Sequence, residues 1–193
     1  MSSLSNEYLY CFILNSHFFI CTPKLKYAII FLINNIIRIK VMSNNNLNVF
    51  LSGEIHTDWR EEIIDQSKNQ NLSINFFSPE TNHANSDDCG VSILGPENDK
   101  FWHDYKGASI NSINNSICIK KSDIVIIKFG EKYKQWNAAF DAGYAIGLNK
   151  NIITLHSKDL DHALKEVDAA AKAVCRSNDE VIKILKYITN SEL

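Results

Sequence analysis

From residue 47 onward, short wholly apolar runs alternate with longer segments whose apolar residues recur every three or four positions. The first run, Leu47 to Ser52, reads as a strand and stops at Gly53. Thr57 or Asp58 can cap a following helix that runs to about Asn69, with Trp59, Ile63 and Ile64 facing inward and Glu61 and Glu62 at its positive end. Leu72 to Phe77 alternates like a second strand and is stopped by Ser78 and Pro79. Glu80 to Lys100 is largely polar and reads as a loop, of a length that is functional or disordered in compact domains. Phe101 to Lys121 predicts a crossing helix. Asp123 then opens a third strand, Ile124 to Ile127, followed by the loop Gly130 to Asn137. A helix rich in small residues comes next, with Asp141 expected in its first turn. Ile152 to Leu155 is the fourth strand, Leu160 to Val167 a helix, and Ala171 to Arg176 a modest fifth strand. Ser177 or Asn178 caps a last helix that carries Val181, Ile184, Leu185 and Ile188 on one face.

Strands alternating with helices predict an α/β fold, a flavodoxin-like three-layer sandwich around a five-stranded parallel sheet in the order 2-1-3-4-5. In such sheets ligands sit beyond the carboxyl ends of the strands, where the order reverses. The loops after the first and third strands should face one another there. That places Lys132, Tyr133, Trp136, Asn137 and Asp141 at the expected working edge.

Composition changes the picture mainly at the amino end. Residues 1–41 hold a single acid, Glu7, and two apolar runs, 8–20 and 27–37, each broken by Asn or His. Neither reaches the roughly 20 apolar residues of a membrane-crossing helix, and no small-residue cleavage site follows. A surface anchor is one reading. The plainer one makes 1–41 a non-core extension ahead of a start at Met42, with the domain at 47–193. From Met42 on, the chain has 152 residues with 16 basic and 21 acidic side chains, a net charge of -5. Such a balance offers no field for nucleic acid and no polybasic membrane patch. The five scattered cysteines form neither a disulfide framework nor a metal clip, so a cytoplasmic location is expected.

Four clusters could carry chemistry. Asp141, a carboxylate near a helix start, could attack an electrophilic carbon such as the anomeric carbon of a sugar; acids in first helical turns are also common for stability alone. Gly53 to Arg60 gathers Glu54, His56, Asp58 and Arg60 directly after the first strand. There Arg60 could hold a phosphate or carboxylate by its planar fork, and Glu54 or His56 could exchange protons with a leaving group. The alternative is a solvated helix start. Asn82, His83, Asp87, Asp88 and Cys89 lack any zinc spacing, so no metal is expected; paired acids there suit a lid over sugar hydroxyls. Gly130 to Asn137 offers Tyr133 and Trp136 for stacking on a base, or Trp136 as a plug of the domain. No dinucleotide fingerprint and no phosphate loop is present.

The segments FLSGEIHTDWREEI (Phe50 to Ile63), TNHANSDDCGVSILG (Thr81 to Gly95), FWHDYKGASIN (Phe101 to Asn111) and SDIVIIKFGEKYKQWNAAFDAGYA (Ser122 to Ala145) resemble the YtoQ family of the nucleoside 2-deoxyribosyltransferase-like group. In the wider group a glutamate in a G-T-x-x-E-x-G-Y-A pattern attacks the anomeric carbon. Asn137 to Ala145 occupies that pattern with Asp141 at the nucleophile position, one methylene shorter, and Asn137-Ala138 replacing Gly-Thr. Where the group carries a sugar-binding acid, about eight residues before the strand-opening aspartate, this chain has Asn115.

The resemblance implies an enzyme cleaving the N-glycosidic bond of a nucleoside or nucleotide, with Asp141, Glu54 and His56 catalytic. Gly53, Asp58, Arg60, Asp87, Asp88, Gly130, Tyr133, Trp136 and Asn137 would bind substrate. It implies no cofactor and a homo-oligomer. A nucleoside 5′-monophosphate N-glycosidase and a non-catalytic nucleotide-binding module are the alternatives.

Overall fold

The computed structural model describes residues 46–132 and 135–191, apart from the side chain of His83. The expected extension 1–41 and Tyr133 lie outside the described residues. Five strands, β1 (Leu47–Gly53), β2 (Ile74–Phe77), β3 (Ile124–Lys128), β4 (Asn151–Leu155) and β5 (Ala173–Cys175), form one parallel sheet in the order β2-β1-β3-β4-β5. This is the predicted topology. Six α-helices connect the described strands and follow them: α1 (Trp59–Asn69), α2 (His83–Leu94), α3 (Lys100–Lys121), α4 (Trp136–Gly147), α5 (Asp161–Ala170) and α6 (Asn178–Asn190).

The central strands are apolar on every residue because both faces of a doubly wound sheet are covered. On one face Val49, Leu51, Ile124, Ile126, Ile153 and Leu155 pack on Trp59 and Ile63 of α1 and on Val181, Ile182 and Leu185 of α6. On the other, Phe50, Val125, Ile127 and Ile152 meet Ile119 of α3, Ala138, Ala142 and Ala145 of α4, and Leu164 of α5. The alanines let α4 lie close against the sheet. At the amino edge Asp123 locks β1 to β3, since its carboxylate accepts from the Asn48 amide at 2.9 Å and its own amide donates to the Asn48 carbonyl at 2.8 Å.

Three expectations need correction. Glu80 to Lys100 is not a long loop, for it contains α2. Asn82 caps that helix by accepting from the Asn85 amide at 3.0 Å, and Gly95 ends it at φ 90°. Its Asn, Ser, Asp and Gly residues have poor helix propensity, and its support comes from α3. A Cβ on Gly90 would lie 2.2 Å from the Gly107 nitrogen, so these two glycines let the helices almost touch. Second, α4 begins at Trp136, which puts Trp136 and Asn137 inside the helix and Asp141 in its second turn, with no acid in the first. Third, β2 starts at Ile74, because Leu72 still closes the end of α1 with its amide on the Ser67 carbonyl at 3.0 Å. On α6 the buried stripe is Val181, Ile182 and Leu185, while Ile188 is exposed.

Gly53 ends β1 at φ 103°, and a Cβ there would fall 2.1 Å from the Lys128 carbonyl oxygen of β3. Gly53→Ala is therefore expected to cost about 2–3 kcal/mol in urea denaturation. A loss below about 0.5 kcal/mol would mean that β1 and β3 part there without penalty.

Candidate active site

The end of β1 is held from below by Arg60, the second residue of α1. Its Nε donates to the Leu51 carbonyl at 3.0 Å, Nη1 to that of Glu54 at 2.6 Å and Nη2 to that of Gly53 at 3.0 Å. The guanidinium also lies 4.7 Å from the Trp59 ring centroid, and the Trp59 indole donates to the Glu54 carbonyl at 2.8 Å. Burial lowers the Arg60 pKa to about 10, even though Glu54 and Glu61 hold it up. The expectation for Arg60 is a grip on a phosphate or carboxylate. At 3% exposure, with three nitrogens committed to backbone, it shapes the loop instead.

Glu54 is buried within that loop. Its carboxylate accepts from the His56 amide, from the Thr57 amide at 3.2 Å and from the Thr57 hydroxyl. Burial pushes its pKa up, but the Thr57 hydroxyl, the two amides and the Lys128 ammonium outweigh that and hold it below the ordinary value. Glu54 is thus an acceptor that organises its loop, and not the acid expected of it. His56 and Asp58 are exposed, with Asp58 at the cap position of α1 but making no capping bond with its side chain. A Cβ on Gly130 would lie 2.4 Å from the Glu54 Cγ, so the loop after β3 comes this close only as glycine.

Ser52 points to the opposite face of β1, toward α4. Its hydroxyl donates to Asp141 Oδ2 at 2.5 Å. Burial raises the Asp141 pKa, and the Ser52 hydrogen bond opposes the rise. The expected stabilisation by a helix start does not apply in the second turn of α4. Oδ1 has no hydrogen-bond partner among the described residues. Asn137 lies four positions before Asp141, and Trp136 four before Phe140, so each pair shares a helix face. Trp136 and Phe140 are 73% and 71% exposed, which makes them an open aromatic surface and not a plug. Asp87 and Asp88 are exposed on α2, with Asp88 3.3 Å from His103.

Over the carboxyl ends of β1, β3, β4 and β5 lies a cavity of about 500 Å³, reached by Glu54, His56, Gly130 and Lys132. Asp141 does not line it. Its far wall holds residues that the sequence reading missed. His156 and Arg176 directly follow the apolar runs of β4 and β5, so the rule that sites lie beyond strand ends was the available signal. The His156 ring is sealed from solvent, with Nε2 3.1 Å from both Asp168 oxygens and Nδ1 2.8 Å from the Ser157 carbonyl. Donor atoms of His156, Asp161 and Asp168 lie within 4.8 Å of one another, a spacing fit for a cation. Arg176 already supplies that cation, its Nη1 standing 2.6 Å from Asp161 Oδ1 and 3.1 Å from His156 Nδ1.

The fold and its edge define a doubly wound α/β protein with a carboxylate beside the switch point and a cavity over the strand ends. Residues 50–189 match the family described as nucleoside 2-deoxyribosyltransferase YtoQ, and the chain belongs to that family. It is 41% identical over 144 residues to the uncharacterized protein YtoQ of Bacillus subtilis strain 168, covering 75% of this chain and 97% of that one. A conserved protein from Enterococcus faecalis V583 shares the fold at a TM-score of 0.53 and 12% identity, over 75% of this chain and 99% of its own. The 2-deoxyribosyltransferase of Bacillus psychrosaccharolyticus superposes at 0.48 with 14% identity, over 70% and 90%. No helix among the described residues is long and apolar enough to cross a membrane.

Asp141→Asn tests the buried charge. A carboxyl raised in the folded state stabilises most when protonated, and this contribution is lost as pH rises from the unfolded value of 3.8 through the folded one. The asparagine variant should therefore be more stable than the parent at pH 7, by on the order of 1 kcal/mol. The difference should vanish at pH 3, as read by urea midpoints at both pH values. A variant less stable at pH 7 would show the charge to be well compensated.

Proposed function

We propose that this protein cleaves the N-glycosidic bond of a nucleoside or nucleotide, with Asp141 as nucleophile, and passes the deoxyribosyl group to a second base. The observation that carries this reading is the Asp141 carboxylate. It stands at the nucleophile position of the group's pattern, with Oδ2 fixed by Ser52 and Oδ1 uncommitted. Family membership supports the substrate class.

In the first step Oδ1 attacks C1′ and an O–C bond forms as the C1′–N bond breaks. The electron pair leaves with the base nitrogen, which takes a proton. His56, exposed on the loop after β1, is the donor this reading selects, because Glu54 is held ionised. In the second step the ring nitrogen of another base attacks C1′ and gives its N–H proton to His56, and the C1′–O bond of the aspartate ester breaks to return Asp141 as carboxylate. Trp136 and Phe140 offer stacking faces for the bases. Asn137, on the helix face of Asp141, offers an amide to the sugar. Carboxylate attack with a protonated leaving group needs no electron carrier.

Incubation with a deoxynucleoside and a different free base, followed by chromatography, tests the reading. The expected product is the exchanged nucleoside. Free sugar would mark a hydrolase, and ligand-dependent thermal stabilisation without turnover would mark a binding module. Asp141→Ala should lose roughly three orders of magnitude of rate or more while remaining folded; retained activity would exclude Asp141 as nucleophile.

Ser52→Ala probes the same carboxylate. Removing the hydroxyl that opposes the raised Asp141 pKa should move the acid limb of the pH–rate profile to higher pH. An unmoved limb would mean that another group governs it.

A further inference from the structure

Arg176 uses only one nitrogen of its guanidinium. Nη1 contacts Asp161 Oδ1, His156 Nδ1 and the carbonyls of His156 and Ser157, the last two at 3.4 Å each. Nε and Nη2, the other edge of the planar fork, have no partner among the described residues. Beside it the Ser157 hydroxyl oxygen is buried with no hydrogen-bond partner. Leaving a buried polar group unpaired is costly, so a hydroxyl kept there without a protein partner points to a ligand atom. Both residues line the 500 Å³ cavity, and Lys128 and Lys132 line it as well.

The surroundings hold this guanidinium in place. His156 is sealed between Asp168 and Arg176, Thr154 donates to Asp168 Oδ1 at 2.8 Å, and Asp161 anchors Nη1. Two carboxylates share the cavity. Glu54 is spent on its own loop, and Glu131 is exposed. In the first turn of α6 the Ser177 hydroxyl accepts from the Glu180 amide at 3.3 Å.

We propose that this end of the cavity binds a phosphate monoester, with two oxygens on the Nε/Nη2 edge of Arg176 and a third on the Ser157 hydroxyl. A carboxylate would satisfy the fork but has no third oxygen for the serine. What the phosphate is attached to rests on the nucleoside reading above: the ligand is a nucleotide in preference to a nucleoside. Arg176 leans over β4, two strand spacings or roughly 10 Å from β1, so the phosphate is held on the side of the ligand remote from Asp141.

Isothermal titration of the full chain with inorganic phosphate, a 2′-deoxynucleoside and its 5′-monophosphate tests the proposal. Inorganic phosphate should bind saturably, and the monophosphate about tenfold or more tighter than the deoxynucleoside. Arg176→Lys, which keeps the charge and loses the fork, should abolish that advantage. Ser157→Ala should reduce it about threefold without lowering the denaturation midpoint, since its hydroxyl has no protein partner to lose. Equal affinity for the two nucleoside forms, or variants that bind like the parent, would overturn the proposal. The two readings fail separately. Phosphate binding without exchange or sugar release removes the glycosidic mechanism and leaves this site. Exchange on an unphosphorylated nucleoside, indifferent to Arg176, does the reverse.

Discussion

The carboxyl end of β1 takes its shape from one buried cation. A strand that ends in a working loop leaves carbonyls with no neighbour to pair with, and unpaired carbonyls in a buried place are costly. Arg60 reaches up from the first turn of α1 and satisfies three of them, those of Leu51, Gly53 and Glu54. Desolvating a guanidinium is itself unfavourable, which is why its pKa falls to about 10. The flat face of Trp59 and the charge of Glu54 recover part of that cost. A lysine could not replace it, because one ammonium cannot serve three carbonyls in a planar fork. With the loop so fixed, the Glu54 side chain turns inward against Gly130, and Ser52 is left facing α4.

Two carboxylates at this edge are driven in opposite directions by their surroundings. Glu54 is held ionised although its residue is buried, because two amides, a hydroxyl and an ammonium gather around it. Asp141 has one neutral donor, Ser52, so burial wins and its proton is held more tightly. Environments that separate two acids in this way divide the labour between them. A carboxylate wrapped in donors is stabilised and unreactive. One with a free oxygen and a single fixed bond keeps its basicity and its aim.

Much of this architecture was legible in the residues. Strands buried on both faces must be apolar throughout, so β1, β3 and β4 stood out against any helical period. The order 2-1-3-4-5 followed from their alternation with helices. What misled was local polarity. The stretch of α2 has the composition of a loop, and its helix exists because Gly90 and Gly107 allow a close crossing that becomes visible only in three dimensions. Arg60 looked like a ligand-holding cation because sequence shows its charge but not the carbonyls beneath it. Asp141 was placed one turn too early because Trp136 and Asn137 read as loop residues. His156 and Arg176 passed unnoticed, since each belongs to a cluster assembled from β4, β5 and α5, whose members are up to 20 residues apart in the chain.

The short Asp141 side chain and the serine beneath it belong to one geometric solution. An aspartate on α4 reaches less far from the helix than a glutamate would, so its carboxylate stays near the β1 backbone, where burial would favour the neutral form. Ser52 answers this from the strand, at the one residue of β1 that both faces α4 and lies at the carboxyl end. Its hydroxyl can donate without adding charge, which steadies the anion while leaving the second oxygen electron-rich. A lysine in that place would bind the carboxylate more firmly and lower its basicity further. Because Ser52 is fully buried, its position is set by the sheet and not by solvent. The Asp141 carboxylate is therefore held by the same strand that Arg60 clamps, so the loop after β1 and this carboxylate share one support.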